Sequence, residues 1–321
     1  MKPKKTNKMT KVVVVGGAGF IGSHVTDVLI ERGYETHVID NLSGGKKSNL
    51  NPKVIFHEKD IRNLEDIKPI IKGAKFVFHL AALPRVQYSI ENPAETHEVN
   101  VTGTLNVLIA SKEGGVKRVV YSASSSAYGD QPARTGRGST RSGGKVLPLV
   151  ETMSPSPLSP YGLHKYIGEL YCKVWSTVYG LETVGLRYFN VYGPRLNPDG
   201  SYPLAIGKFL KQRSQGKPMT IWGDGTQTRD FTHVRDVARA NLLAMESDKV
   251  GKGEVMNIGA GKNYSVNQLA EMIGGPVVHE PPKIEPHDTL ADSSLAKKLL
   301  GWKPEVVFEE GIAELKREFV L

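Results

Sequence analysis

Cysteine is nearly missing from this chain: Cys172 is the only one in 321 residues. An internal disulfide is therefore impossible, and the expected compartment is a reducing cytoplasm. No apolar run approaches the ~18–20 residues of a membrane helix, so no membrane role is expected. No internal repeat is found. The lysine-rich start is followed by an apolar run and a glycine loop instead of a cleavage site, so no signal peptide is expected. Acids are scarce where bases cluster. Five lysines occupy the first eleven residues, and Arg134, Arg137, Arg141 and Lys145 crowd one glycine-rich stretch. These two segments hold no acid and account for the formal net charge of +9, leaving the remainder near balance. No aromatic interleaving or nucleic-acid motif accompanies them. A solvated tail and a basic rim that attracts anionic substrates are expected, and no nucleic-acid partner. No metal site is expected.

What the chain does have is concentrated first in Val12–Ser23. Four valines, Val12 to Val15, make a short apolar run of the kind a parallel strand buried on both faces requires. Glycines follow at Gly16, Gly19 and Gly22. Ile21, Val25, Val28 and Leu29 then share one face of a 3.6-residue period, which predicts a helix. Strand, glycine turn and helix together form a phosphate-binding context. The backbone can approach a pyrophosphate, and the helix N-terminus offers unpaired N–H groups. Gly16, Gly19, Phe20, Ile21 and Gly22 are the candidate dinucleotide loop. Thr36–Asp40 predicts a second strand ending in Asp40. An acid there accepts hydrogen bonds from ribose hydroxyls and repels a 2′-phosphate, which selects NAD. Asn41 to Gly45, with Gly44, is a polar loop beside the adenosine.

Further strands are predicted at 54–56, 76–80, 119–122 and 183–187, with helices over 64–71, 94–112 and 160–179. Alternating strands and helices imply a Rossmann-type, doubly wound parallel sheet with ligands at the carboxyl ends of its strands. The chain is less regular after 188, with helices predicted near 204–214 and 236–245, a strand at 255–258, and late helices around Leu295 and Ile312. The expected division is a NAD-binding domain over 1–187 plus about 236–262, and a smaller α/β substrate lobe over 188–235 and 263–321. Residues 131–146 are an unusually long irregular loop.

Tyr161 and Lys165 are four apart and share one face of the helix predicted over 160–179. A lysine ammonium beside a phenol favours phenolate, giving a general base for a hydroxyl proton. Ser124, at a strand end, is placed to bond the same hydroxyl. This helix has two faces. Tyr161, Lys165, Gly168, Cys172, Trp175 and Tyr179 are expected to face the sheet and cofactor. Leu163, Ile167, Leu170, Val174 and Val178 form an opposite apolar stripe, for either a second subunit or a neighbouring helix of the same chain.

These segments resemble the extended short-chain dehydrogenase/reductases, specifically the nucleotide-sugar 4-epimerases. The matching pieces are Gly16–Gly22, Asp40–Leu42, Asp60–Ile61, His79–Ala82, Ser122–Gly129, Tyr161-x-x-x-Lys165, Arg187–Arg195, Gly223–Asp230 and Ala291–Asp292, in order along the chain. The resemblance implies that Asp60 and Ile61 hold adenine. It implies that Leu80, Ala81, Ala82, Asn100 and Ser122 line the cofactor channel, with Tyr161 and Lys165 at the cofactor and Tyr188 near the nicotinamide. Asn190 and Arg229 would bind the sugar diphosphate, Lys208 would reach the nucleotide, and Arg85 and Ser126 would contact substrate. It also implies a homodimer through the helices about 94–112 and 160–179. The implied reaction is NAD-dependent epimerisation at carbon 4 of a UDP-hexose through a 4-keto sugar, with Tyr161, Lys165 and Ser124 catalytic.

Dehydratases of this type carry an Asp-Glu pair before Val-Tyr-Gly, and decarboxylases tend to carry Glu in that segment. Here Ser125-Ser126-Ala127 precedes Tyr128-Gly129. Two departures stand out. The interval from Ser124 to Tyr161 is 37 residues, longer than usual for the family. An arginine common before Ala-Asp is missing, and Lys283 is the nearest substitute, though lysine cannot make a bidentate fork. Thr289 and Leu290, neither as bulky as tyrosine, favour tolerance of an N-acetyl sugar. The alternatives are a UDP-uronate 4-epimerase, with Arg85 meeting the carboxylate, a 4,6-dehydratase, and a non-catalytic NAD-binding sensor, which would have no need of the Tyr161–Lys165 pair.

Overall fold

The computed structural model describes residues 9–129, 131, 141–142, 145–198, 205–282 and 287–321. The chain begins β1 (Lys11–Val15), α1 (Phe20–Glu31), β2 (Glu35–Asp40), β3 (Ile55–Glu58), α2 (Leu64–Ile71) and β4 (Phe76–His79). Next come α3 (Val86–Glu91), α4 (Pro93–His97), a π-turn over Glu98–Thr102, and α5 (Gly103–Glu113). After β5 (Arg118–Ser124), the two-residue strands β6 (Arg141–Ser142) and β7 (Lys145–Val146) pair antiparallel within the long loop. α6 (Pro160–Tyr179) and β8 (Glu182–Tyr188) follow.

Beyond them lie β9 (Val191–Tyr192), α7 (Ala205–Ser214), β10 (Met219–Trp222), β11 (Thr228–Asp230), β12 (Thr232–His233), α8 (Val234–Glu246) and β13 (Lys252–Ile258). The chain closes with β14 (Asn263–Ser265), α9 (Val266–Ile273), β15 (Val277–Glu280), α10 (Ser294–Leu300) and α11 (Phe308–Glu318).

Seven strands form one parallel sheet in the order β13-β8-β5-β4-β1-β2-β3. The valine run is explained by its two covered faces. Val12 and Val14 pack with Val25 and Leu29 of α1 and Val237 of α8, whereas Val13 and Val15 pack with Ile67 of α2, Val107 of α5 and Trp175 of α6. A strand buried on both sides has no place for a polar alternation. A third apolar cluster, with Ile206, Phe209, Leu269, Phe308 and Ile312, holds α7, α9 and α11 together.

The expected helix over 94–112 is broken by the π-turn at Glu98–Thr102. α9 was not expected, although Ser265 and Gln268 form a capping box at its start. The sheet-facing side of α6 buries Tyr161, Lys165, Gly168, Cys172 and Trp175, but Tyr179, expected among them, lies exposed in the last turn. On the other side Leu163, Leu170, Val174 and Val178 are 44–67% exposed. Ile167, the fifth member of the stripe, is partly buried, and no described helix of this chain covers the other four. Among the described residues no helix is long and apolar enough to cross a membrane.

Candidate active site

The glycine loop leaves β1 and turns into α1. Gly16 has φ +85, and a Cβ there would lie 2.5 Å from the Ala81 nitrogen. A Cβ on Gly22 would lie 2.1 Å from the Gly16 oxygen. Neither position tolerates a side chain, which is what brings α1 close to the end of β4. Gly19 is the N-cap of α1 and no side chain caps that helix. The first-turn N–H groups of Phe20, Ile21 and Gly22 therefore point where an anion is stabilised.

Asp40 ends β2. Its carboxylate accepts hydrogen bonds from Ala18 N (3.0 Å) and Leu42 N (2.8 Å), which tie it to the glycine loop. Burial raises its pKa against those bonds. The side-chain-free glycine cradle, the uncapped helix and an acid at this strand end fit a dinucleotide with free ribose hydroxyls.

Around the cradle, Asn41 donates to Asp60 at 2.9 Å, and Arg62 chelates the same carboxylate, holding Asp60 down to about 2. Asn106 fixes the Ile61 and Arg62 carbonyls at 2.9 and 3.0 Å. Gly44 is exposed with open space around it. Leu80 N and Ala81 N both donate to Val15 O, and Ala82 continues this partly buried turn. The Asn100 amide is spent on Leu83, accepting from its N–H at 2.8 Å and donating to its carbonyl at 3.2 Å. Asn100 thereby braces the loop after β4, which follows the partly buried turn at Ala81 and Ala82.

At the carboxyl end of β5 the Tyr161 phenol lies beside Ser124, which opposes the rise that burial imposes on its pKa and whose Oγ accepts the Ser126 N–H at 3.1 Å. Two serines set the start of α6. Ser159 Oγ accepts from Gly162 N at 3.2 Å, and Ser89 Oγ of α3 accepts from Tyr161 N at 3.0 Å. Lys165 donates to the Ser122 carbonyl at 2.7 Å. Gly168 admits Tyr121, whose hydroxyl would lie 2.1 Å from a Cβ at that position.

The expected lowering of the phenol by lysine is not found. Burial raises the Tyr161 pKa, and Ser124 is the one group opposing it. The Lys165 ammonium is committed to Ser122 O, and burial brings its own pKa down to about 8 against the pull of Glu169. Tyr188 pairs with Ser124 across β5 and β8. Its hydroxyl donates to Asn241 of α8 at 3.0 Å, on the sheet face away from α6.

Beneath Lys165 lies a network that the sequence reading did not assign. Glu169, one helical turn on, forms a bidentate ion pair with Arg187 of β8 at 2.8 and 2.7 Å, both side chains at most 5% exposed. The guanidinium lies 4.4 Å from the Tyr128 ring centre. The Tyr128 hydroxyl donates to Asn257 of β13 at 2.8 Å. The i+4 spacing from Lys165 to Glu169 was the available signal.

Among the residues expected to meet substrate, Asn190 (φ +30) donates to Asp230 O at 3.1 Å and Thr289 Oγ1 at 3.2 Å. Arg229 Nη1 donates to the Thr228 and His287 carbonyls, both at 2.9 Å. Lys208 lies 3.9 Å over the Trp222 ring. Arg85 is the N-cap of α3, partly buried. Thr289 and Leu290 lie next to Asn190 and Leu149. Lys283, like Arg134 and Arg137, lies outside the described residues.

The NAD dependent epimerase/dehydratase family model matches residues 12–259. A putative UDP-glucose 4-epimerase of Methanocaldococcus jannaschii is 41% identical over 312 residues, covering 94% of this chain and 95% of that protein. The crystal structure of Thermotoga maritima UDP-glucose 4-epimerase with UDP-glucose is 41% identical at a TM-score of 0.88, covering 97% and 98% of the two chains. The UDP-N-acetylglucosamine 4-epimerase of Methanobrevibacter ruminantium M1, in complex with UDP-N-acetylmuramic acid, is 36% identical at a TM-score of 0.89, covering 98% and 99%. With the glycine cradle, Asp40 and the Tyr161–Ser124 contact, these likenesses place the chain in the NAD-dependent epimerase/dehydratase family of extended short-chain dehydrogenase/reductases, the family of the UDP-sugar 4-epimerases.

Proposed function

We propose that this protein interconverts UDP-hexoses that differ at carbon 4, accepting plain and N-acetylated sugars. The observation that carries the reading is the approach of the Tyr161 phenol to Ser124 at the end of β5, one helical turn from Lys165, whose ammonium is held on Ser122 O of the same strand. Tyr161 takes the proton of the sugar 4-hydroxyl and later returns it. Ser124 orients that hydroxyl, and Lys165 supplies positive charge through the edge of β5. Gly16 to Gly22 and Asp40 hold NAD, which when bound accepts hydride from carbon 4 and gives it back, its positive ring favouring the phenolate.

The 4-keto sugar then turns over in the pocket while Arg229 and Asn190 keep the diphosphate, by charge-assisted bonds. Ser122–Gly129 contains no carboxylate, so the acid or base that elimination or decarboxylation would draw from that segment is missing. The exposed stripe of α6 supports a homodimer, since four large apolar side chains on one helix face call for a matching surface.

The test incubates purified protein with UDP-glucose, UDP-N-acetylglucosamine and UDP-glucuronate separately and resolves products by proton NMR. Inversion at carbon 4 of the first two is expected without added NAD. No turnover of any of the three, even with NAD supplied, refutes the reading.

A further inference from the structure

Asp230 ends β11, next to Arg229, and its side chain is fully buried. No cation partners its carboxylate among the described residues. Instead three backbone N–H groups reach it: Ala260 at 2.8 Å, Gly261 at 2.9 Å and Ala291 at 2.9 Å. The first two belong to the turn after β13, a strand of the central sheet; the third belongs to the segment carrying Thr289 and Leu290. The main chain of the same residue is used as well. Asp230 N donates to Thr289 Oγ1 at 3.3 Å, and Asp230 O accepts from Asn190 Nδ2. Gly259 makes room for this junction, since a Cβ there would lie 2.2 Å from the Ala291 Cβ and 3.1 Å from Asp230 Oδ2.

A buried carboxylate satisfied only by N–H groups from separate segments fixes those segments relative to each other, because each lost bond leaves a buried polar group unpaired. The turn after β13 is the anchor on the central sheet, and each of the other segments gathered here carries a residue assigned above to the sugar diphosphate or its pocket: Asn190, Arg229, Thr289 or Leu290.

We propose that Asp230 is a positioning residue that assembles the diphosphate and sugar wall of the pocket, locking Arg229, Asn190 and Thr289 to the end of the central sheet. The inference rests on the proposed function for the identity of that pocket. It separates two jobs in the chain: the cofactor cradle is built on the far side of the sheet, from β1, α1 and β2, and owes nothing to Asp230. Replacing the carboxylate should therefore weaken substrate holding and leave cofactor holding alone.

The experiment uses the full-length protein with its copurified cofactor. Asp230→Asn presents an NH2 where an acceptor is needed. It should raise the UDP dissociation constant, measured by calorimetry, by about ten-fold or more. The KM of the nucleotide sugar should rise in parallel, with kcat within about three-fold and bound NAD unchanged. Thr289→Val, which deletes the oxygen shared by Asn190 and Asp230 N while keeping the side-chain shape, should weaken UDP in the same direction. It also decides the matter should the first variant fail to fold. UDP binding at the wild-type level in Thr289→Val and in any folded Asp230→Asn overturns the proposal, as does a loss that falls on NAD content or kcat. Absence of UDP binding by the wild type overturns it too. A wild type that binds UDP but turns over no nucleotide sugar defeats the proposed function, and the UDP titrations still decide the role of Asp230.

Discussion

Replacing Glu169 with glutamine keeps the shape of a buried side chain and removes one charge of a pair. Glu169 and Arg187 are 4% and 5% exposed and meet in a bidentate contact at 2.7–2.8 Å. Removing one partner leaves the guanidinium buried with only the Tyr128 ring beside it, at a cost of roughly 3–5 kcal/mol. The glutamine still accepts one hydrogen bond, which favours the lower figure. An unfolding entropy of ~2 cal/mol/K per residue gives a fall in Tm of about 4–5 °C for a chain of this length.

The substitution also reaches Lys165, to which the proposed function gives a catalytic part. Lys165 has a pKa brought down to about 8 by burial, and Glu169 is the leading group opposing that fall. Without the carboxylate the ammonium is held less well, so the alkaline limb of the activity profile should move to lower pH. The sign for stability is opposite. A lysine lowered from 10.5 to about 8 on folding binds fewer protons in the folded state across that window. Its contribution to stability therefore rises with pH while activity falls. The assays are differential scanning calorimetry and rates at carbon 4 followed by NMR over a pH series. A double change, Glu169→Leu with Arg187→Met, should recover much of the lost Tm without restoring the limb. A Tm within about 1 °C of wild type for Glu169→Gln, with an unmoved limb, would refute the account.

Tyr161→Phe should retain bound NAD, read by absorbance after denaturation, and lose about 10²–10⁴ in kcat; activity near wild type would remove Tyr161 as the base. Gly22→Ala drives a methyl group to 2.1 Å from the Gly16 oxygen. The purified variant should carry little NAD and unfold at a lower temperature, and full cofactor occupancy would contradict the cradle. Val174→Arg combined with Leu170→Glu charges the exposed stripe of α6 and should give a monomer by light scattering. An unchanged mass would place any subunit contact elsewhere.

Much of this structure is legible from local pattern. α2 and α6 have the limits that their apolar spacing and capping residues predict. The strand ends are marked by the switch from valine to glycine, serine or aspartate. What escapes is set by packing between distant segments. The π-turn at Glu98–Thr102 has no local breaker. Nothing in the order Glu254–Ile258 announces that Asn257 will meet Tyr128. Asp230 lies in a motif that marks Arg229, yet the donors that give it a purpose come from residues 260, 261 and 291. Lys165 and Tyr161 show the same limit. Helical spacing places them on one face, but only tertiary structure reveals that the lysine reaches Ser122 and that burial dominates the phenol.

The strand order of the sheet has a consequence for how the molecule is made. Six of the seven parallel strands are synthesised before residue 189, while the edge strand β13 emerges only after β9 through α8. On a ribosome the sheet must wait, with β8 unpaired along one side, until residue 258 has left the exit tunnel. Long-range parallel pairing is slow, and an uncovered strand edge invites association with other chains. Nascent-chain arrest between α8 and the end of β13 should therefore mark the boundary between a protease-sensitive, aggregation-prone chain and a closed one.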